Sequence, residues 1–93
     1  MNDSKKEVML ILQEECAEVT QAISKCLRFG IDGEYNGATN RERLTEEIGD
    51  LIAMIELCYD NGIVDYLQVK EAQHRKFDKL KEWSTIYEQV ENI

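Results

Sequence analysis

Ninety-three residues leave room for one domain with a thin core, because a chain this short buries only about 60–65% of the surface its unfolded form exposes. Nineteen acids against eleven bases give a net charge of −8. That balance argues against a nucleic-acid duplex as partner, since such binding rests on Lys and Arg neutralising phosphates. No run approaches the roughly 20 apolar residues of a membrane span. The start leads into Gln13, Glu14 and Glu15 rather than the apolar core of a secretory signal, and the expected setting is the cytoplasm. Cys16, Cys26 and Cys58 are odd in number and widely spaced, which predicts apolar fillers in a reducing compartment rather than a disulfide framework or a zinc site.

The first helix is expected over 3–28. Ser4 with Glu7 three residues on forms a capping box at its start, and Phe29-Gly30 ends it. The next stretch, 29–38, carries Gly30, Gly33 and Gly37 and reads as a mobile loop. The second helix is expected over 39–60, opened by another capping box (Thr39 and Glu42) and stopped by Asn61-Gly62, a left-handed C-terminal signal. The third helix is expected over 65–82, with Ser84 capping a short last turn. Three helices and no convincing strand pattern predict an all-α fold, a helical bundle forming one domain over 1–93.

At roughly 100° per residue, the first helix gathers Val8, Met9, Leu12, Cys16, Val19, Ile23, Cys26 and Leu27 on one broad stripe. The second gathers Leu44, Ile48, Leu51, Ile52, Ile55 and Cys58. The third is poorer, since the polar Gln73 interrupts the line of Tyr66, Val69, Phe77 and Leu80. These weak faces predict that a second copy completes the bundle.

Acidic residues border the stripes. Residues three apart on a helix are neighbours, so Glu15 with Glu18 and Glu47 with Asp50 are like-charged pairs, each disfavoured by a few tenths of a kcal/mol on a bare helix. Glu15 and Glu47 sit just beside the apolar stripes, with Glu14 and Glu46 farther round. Antiparallel packing brings the two inner pairs together at one end of the interface. Four converging carboxylates repel and raise one another's pKa values, and a hard divalent cation with oxygen ligands resolves that conflict. Either pair alone is most simply a solvated face; two pairs flanking apolar stripes on consecutive helices make a metal site as good a reading.

Glu14-Glu15-x-x-Glu18, then 28 intervening residues, then Glu47-x-x-Asp50 resembles the EExxE…ExxD signature of the MazG-like, all-α nucleoside triphosphate pyrophosphohydrolases. That superfamily includes dimeric dUTPases, dCTP pyrophosphatases and phosphoribosyl-ATP pyrophosphohydrolase, and the likeness runs over about 8–80. The resemblance implies a homodimer or homotetramer that hydrolyses a (d)NTP to the monophosphate and pyrophosphate with Mg²⁺ or Mn²⁺. It makes Glu15, Glu18, Glu47 and Asp50 the metal ligands and leaves Glu14 either to support those ligands from behind or to orient the attacking water.

The third helix offers complementary charge. Lys76-Phe77 loosely matches a Lys-Phe step of the family's third helix, which makes Lys76 the foremost phosphate candidate; an equal reading is a lysine lying along the apolar stripe and paired with Glu71 or Asp78. His74 stands where the family usually has Asn. Lys25 and Arg28, beyond Glu18 on the first helix, are further phosphate candidates, although exposed solubilising charges are the simpler reading of both. The competing reading is a non-catalytic acidic helical module that binds a basic protein, but it leaves unexplained why carboxylate pairs border apolar stripes on both long helices.

Overall fold

The computed structural model describes residues 1–91, with side chains through Glu88; the last two residues of the domain expected over 1–93 lie outside the described residues. The elements, in order, are α1 (Asp3–Phe29), β1 (Glu34–Tyr35), β2 (Ala38–Thr39), α2 (Asn40–Asp60), α3 (Tyr66–Trp83) and α4 (Ile86–Glu91). The class is all-α. The chain divides into two compact units, Met1–Ile63 and Val64–Ile93.

The first unit is an antiparallel hairpin of α1 and α2. At one end the Cys26 thiol meets the Asn40 carbonyl at 3.7 Å; at the other the Ser4 hydroxyl donates to Asn61 Oδ1 at 3.2 Å. The seam between the helices follows a strict rhythm. On α1 the residues withdrawn from solvent include Val8, Leu12, Glu15, Val19, Ala22 and Cys26; on α2 they include Asn40, Leu44, Glu47, Leu51, Met54 and Cys58. Both series step by four and three, the 3.5-residue repeat that keeps one side of each helix on its neighbour. Glu15 and Glu47 therefore occupy seam positions rather than the margin expected for them. The seam uses one edge of the apolar arcs, and Met9, Cys16, Ile23 and Leu27 of α1 with Ile48 and Ile52 of α2 remain exposed. A two-helix contact is narrower than those arcs, so the more polar edge, which carries the carboxylates, faces inward.

The connector departs from a plain loop. Asn36-Gly37, at φ 51° and 82°, turns a hairpin in which Glu34 pairs with Thr39 and Tyr35 with Ala38. Asn-Gly between short extended runs is a hairpin signal, but two residues per strand are too few to show alternation. This hairpin is tied to both helices. Asn40, buried at 6% exposure, donates from Nδ2 to the Gly30 carbonyl at 2.9 Å and from its backbone to Gly33 at 2.9 Å. Arg41 pairs with Asp32 at 3.0 Å. Gly33 is required sterically, since a Cβ there would lie 2.6 Å from the Phe29 carbonyl.

Caps agree with sequence at all but one end. Thr39 caps α2, accepting from the Glu42 amide at 3.1 Å, and Gly30 and Gly62 take the positive φ of helix stops. In the second unit Asp65 caps α3 and the Ser84 hydroxyl accepts from the Ile86 amide at 3.3 Å, opening α4. No residue of α3 is buried, and Gln73 lies exposed, accepting from Lys70 Nζ at 3.2 Å. The exception is the start of α1, where Asn2 rather than Ser4 is the cap, accepting from the Lys5 amide at 2.8 Å. Asn2→Ala should accordingly lower stability by about 0.5–2 kcal/mol, and Ser4→Ala by no more than about 0.5 kcal/mol. Urea titrations of the two variants check this, and a larger loss in Ser4→Ala would return the cap to Ser4.

Candidate metal centre

The register of the hairpin sets Glu15 and Glu18, one turn apart on α1, against Glu47 of α2. One carboxylate oxygen from each lies within 4.8 Å of the other two. Glu15 and Glu47 are half-buried and Glu18 is exposed, so the cluster has a dry floor and an open mouth. Asp50, one turn beyond Glu47, is exposed and stands outside the tight trio, yet its charge reaches both Glu15 and Glu47. Glu14 is exposed and bears on the cluster only by raising Glu15.

The electrostatics are those of a site short of positive charge. Burial, then the charges of Glu18 and Asp50, push the Glu15 carboxyl above its ordinary 4.5. Glu47 is pushed above the same value, first by the Glu18 carboxyl close beside it and then by burial. Glu15 Oε2 and Glu47 Oε2 are each buried without a hydrogen-bond partner among the described residues. An orphaned anionic oxygen costs more than an orphaned neutral one, and both belong to carboxylates of the same close trio. Hard oxygen donors, converging and unpartnered, fit a divalent cation of the Mg²⁺ or Mn²⁺ type.

One cavity opens at the trio, and a second shares two of its lining residues. The first, of about 300 Å³, is lined by Glu18, Gln21, Lys25, Arg43, Glu46 and Glu47. The second, of about 550 Å³, lies between the end of α1 and the β-hairpin, and Lys25 and Arg43 line it as well. Lys25 is thus beside the carboxylates. Arg28 lines neither cavity, its guanidinium lying 5.1 Å from the centre of the Phe29 ring. Lys76 belongs to the second unit, exposed on α3, and makes no ion pair among the described residues; Asp78 pairs instead with Lys81 at 3.8 Å.

The chain matches the MazG nucleotide pyrophosphohydrolase domain over residues 3–84. It belongs to that family. No curated protein and no solved structure matches it. Membership supports nucleotide pyrophosphohydrolysis as the general activity, and the family's typical dependence on a divalent metal suits the cluster of glutamates in the hairpin seam.

Arg43 escaped the sequence reading, although one signal was there. It precedes Glu47 by four residues, one helical turn, which sets its guanidinium on the same face as that carboxylate. It is half-buried, donates to the Tyr35 carbonyl, and keeps Nε buried without a partner among the described residues.

The raised carboxyls give the metal-free protein a pH dependence of definite sign. A carboxyl with a raised folded pKa favours the fold while protonated, so its contribution is complete below the ordinary 4.5 and is lost as pH climbs through the raised value. With chelator present, the melting temperature of wild type relative to Glu15→Gln should fall between pH 4 and pH 7, because Gln cannot ionise. A difference that stays flat or rises over that window would contradict the clustered geometry.

Proposed function

We propose that the protein hydrolyses a nucleoside triphosphate to the monophosphate and pyrophosphate, using Mg²⁺ held by Glu15, Glu18, Glu47 and Asp50. Deoxynucleoside triphosphates stand first among the substrates, following the dUTPases and dCTP pyrophosphatases that the motif resembles. The observation that carries this reading is the carboxylate trio drawn from two helices, in which Glu15 and Glu47 each keep a buried oxygen unpartnered among the described residues. When bound, the cation neutralises phosphate charge and lowers the pKa of a water.

The chain's own groups do the rest by position and charge. Glu15 and Glu47, fixed in the seam, would hold the cation that receives the reacting phosphate, and Glu18 and Asp50 would hold it from the open side. Glu14, exposed one position before Glu15, orients the attacking water and accepts its proton. Lys25, lining the carboxylate cavity, takes up charge on the phosphates as the bond to the leaving group lengthens. Arg28, at the end of α1, and Lys76, in the second unit, are further phosphate candidates by their charge and exposure. Catalysis is then chiefly electrostatic, with donors preset where charge develops.

Exposed Ile23, Leu27, Ile48 and Ile52 support assembly as a homodimer or homotetramer. Three free thiols and acidic composition suit a reducing cytoplasm. Among the described residues no helix is long and apolar enough to cross a membrane.

Glu15→Gln, Glu18→Gln, Glu47→Gln and Asp50→Asn should each stay folded and lose roughly a hundredfold or more in turnover, measured as pyrophosphate release from a (d)NTP panel with Mg²⁺. Two variants with near wild-type turnover would sink the assignment.

Without substrate, Mg²⁺ at ten times its Kd should stabilise the fold by about 1.4 kcal/mol, roughly 6–11 °C in melting temperature for a domain this small. Glu18→Gln should lose that shift. If NaCl of matched ionic strength shifts wild type equally, the effect is screening, as an acidic protein-binding module would show.

Light scattering over a dilution series tests assembly, and a folded, active monomer at micromolar concentration would exclude it.

A further inference from the structure

The 550 Å³ cavity differs in chemistry from the carboxylate cavity beside it. Phe29, the last residue of α1, and Tyr35 of β1 present their rings there, exposed at 64% and 70%, with Glu34 and the buried Asn40 among the polar groups. Exposed rings return little in folding stability, and here two of them line one concavity, Phe29 with the Arg28 guanidinium over its ring. The wall is preset. Asn40 bonds to Gly30 and Gly33, and Gly33 packs against the Phe29 carbonyl too closely for any side chain. Lys25 and Arg43 belong to both cavities, and Arg43 keeps a buried donor unpartnered at their junction.

An aromatic cavity, then two cations, then a carboxylate cluster is the order of chemistry along a nucleotide held by its base. We propose that this cavity binds the nucleoside of the substrate, the base stacking on Tyr35 and Phe29 while Lys25 and Arg43 lead its phosphates to Glu18 and Glu47. The inference rests on the pyrophosphohydrolase reading and adds the end of the site that selects the substrate. A volume of about 550 Å³ falls within the usual range of small-molecule sites. Stacking tolerates any base, so Tyr35 and Phe29 supply affinity, and the edge groups of Glu34 and Asn40 supply the choice among bases.

The test uses the full chain with Mg²⁺ and the triphosphate on which wild type is most active. Tyr35→Ala and Phe29→Ala should each raise KM about five- to a hundredfold, with kcat changed far less, because base stacking is made equally in ground and transition states. Tyr35→Phe should restore KM to near wild type. Inorganic tripolyphosphate, which has no base, should inhibit wild type and both alanine variants with the same constant. Both rings are largely exposed, and the Mg²⁺-induced melting shift of each variant reports whether the carboxylate cluster is intact. If wild type is active and both alanine variants keep KM within twofold, the nucleoside lies elsewhere and the hydrolase reading stands. Equal weakening of tripolyphosphate inhibition would also overturn the inference, since the rings would then act on phosphates. If wild type releases no pyrophosphate from any triphosphate, the hydrolase reading fails and takes this one with it.

Discussion

Two glutamates placed in the seam of a helical hairpin are the constraint around which the first unit is organised. Seam positions of a 3.5-residue repeat normally hold apolar side chains, because each is covered by four residues of the facing helix. Here Glu15 and Glu47 take two of those places and Glu18 joins them from the mouth. The hairpin accepts raised carboxyl pKa values and two orphaned oxygens as the result. Such a group is costly wherever it is buried. A fold selected for stability alone would put Leu at both positions, whereas carboxylates there suit the divalent-metal dependence typical of the family.

The same constraint explains why the connector is so firmly tied. If the helices slid by one turn, about 5.4 Å, Glu47 would leave Glu15 and Glu18, and the cluster would dissolve. Register is therefore fixed at both ends. Ser4 meets Asn61 at the open end, and Asn40 fastens α2 to Gly30 and Gly33 at the closed end. The β-hairpin between them is short, but its Asn36-Gly37 turn and the Arg41–Asp32 pair leave it little freedom. One arrangement both aligns the carboxylates and shapes the aromatic cavity beside them.

Much of this was legible in sequence for a simple reason: helix ends and helix faces are local. Gly30, Thr39, Asn61-Gly62, Asp65 and Ser84 marked boundaries to within a residue or so, because caps depend on groups three or four positions away. The i, i+3 spacing drew attention to the carboxylates that the hairpin brings together. What local pattern could not settle was rotation. The apolar arcs of α1 and α2 are wide enough to pack through either edge, and the choice depends on the partner face. Glu15 and Glu47 thus read as marginal when they are inward, and Leu27, read as core, is 82% exposed. Asn2 was hidden for a related reason, since Ser4 with Glu7 offers the same capping chemistry two residues later. Arg43 was missed because attention to like-charged pairs passed over the single cation a turn away.

Setting carboxylates inward also moves the problem of stability outward. Of the twelve seam residues named above, two are Glu, one is Asn, two are Cys and one is Ala, which leaves only six larger aliphatic side chains. None of the described side chains is sealed completely from solvent. At about 25 cal/mol per Å² of apolar surface removed from water, so sparse a seam offsets little of the entropy lost in ordering two long helices. The stronger apolar groups, Ile23, Leu27, Ile48 and Ile52, lie on the other edge of the same helices, exposed. Polar chemistry in the seam and adhesive surface outside it follow from one decision about which edge turns inward. Rotating α1 and α2 to bury those four residues would strengthen the hairpin and scatter its carboxylates into water.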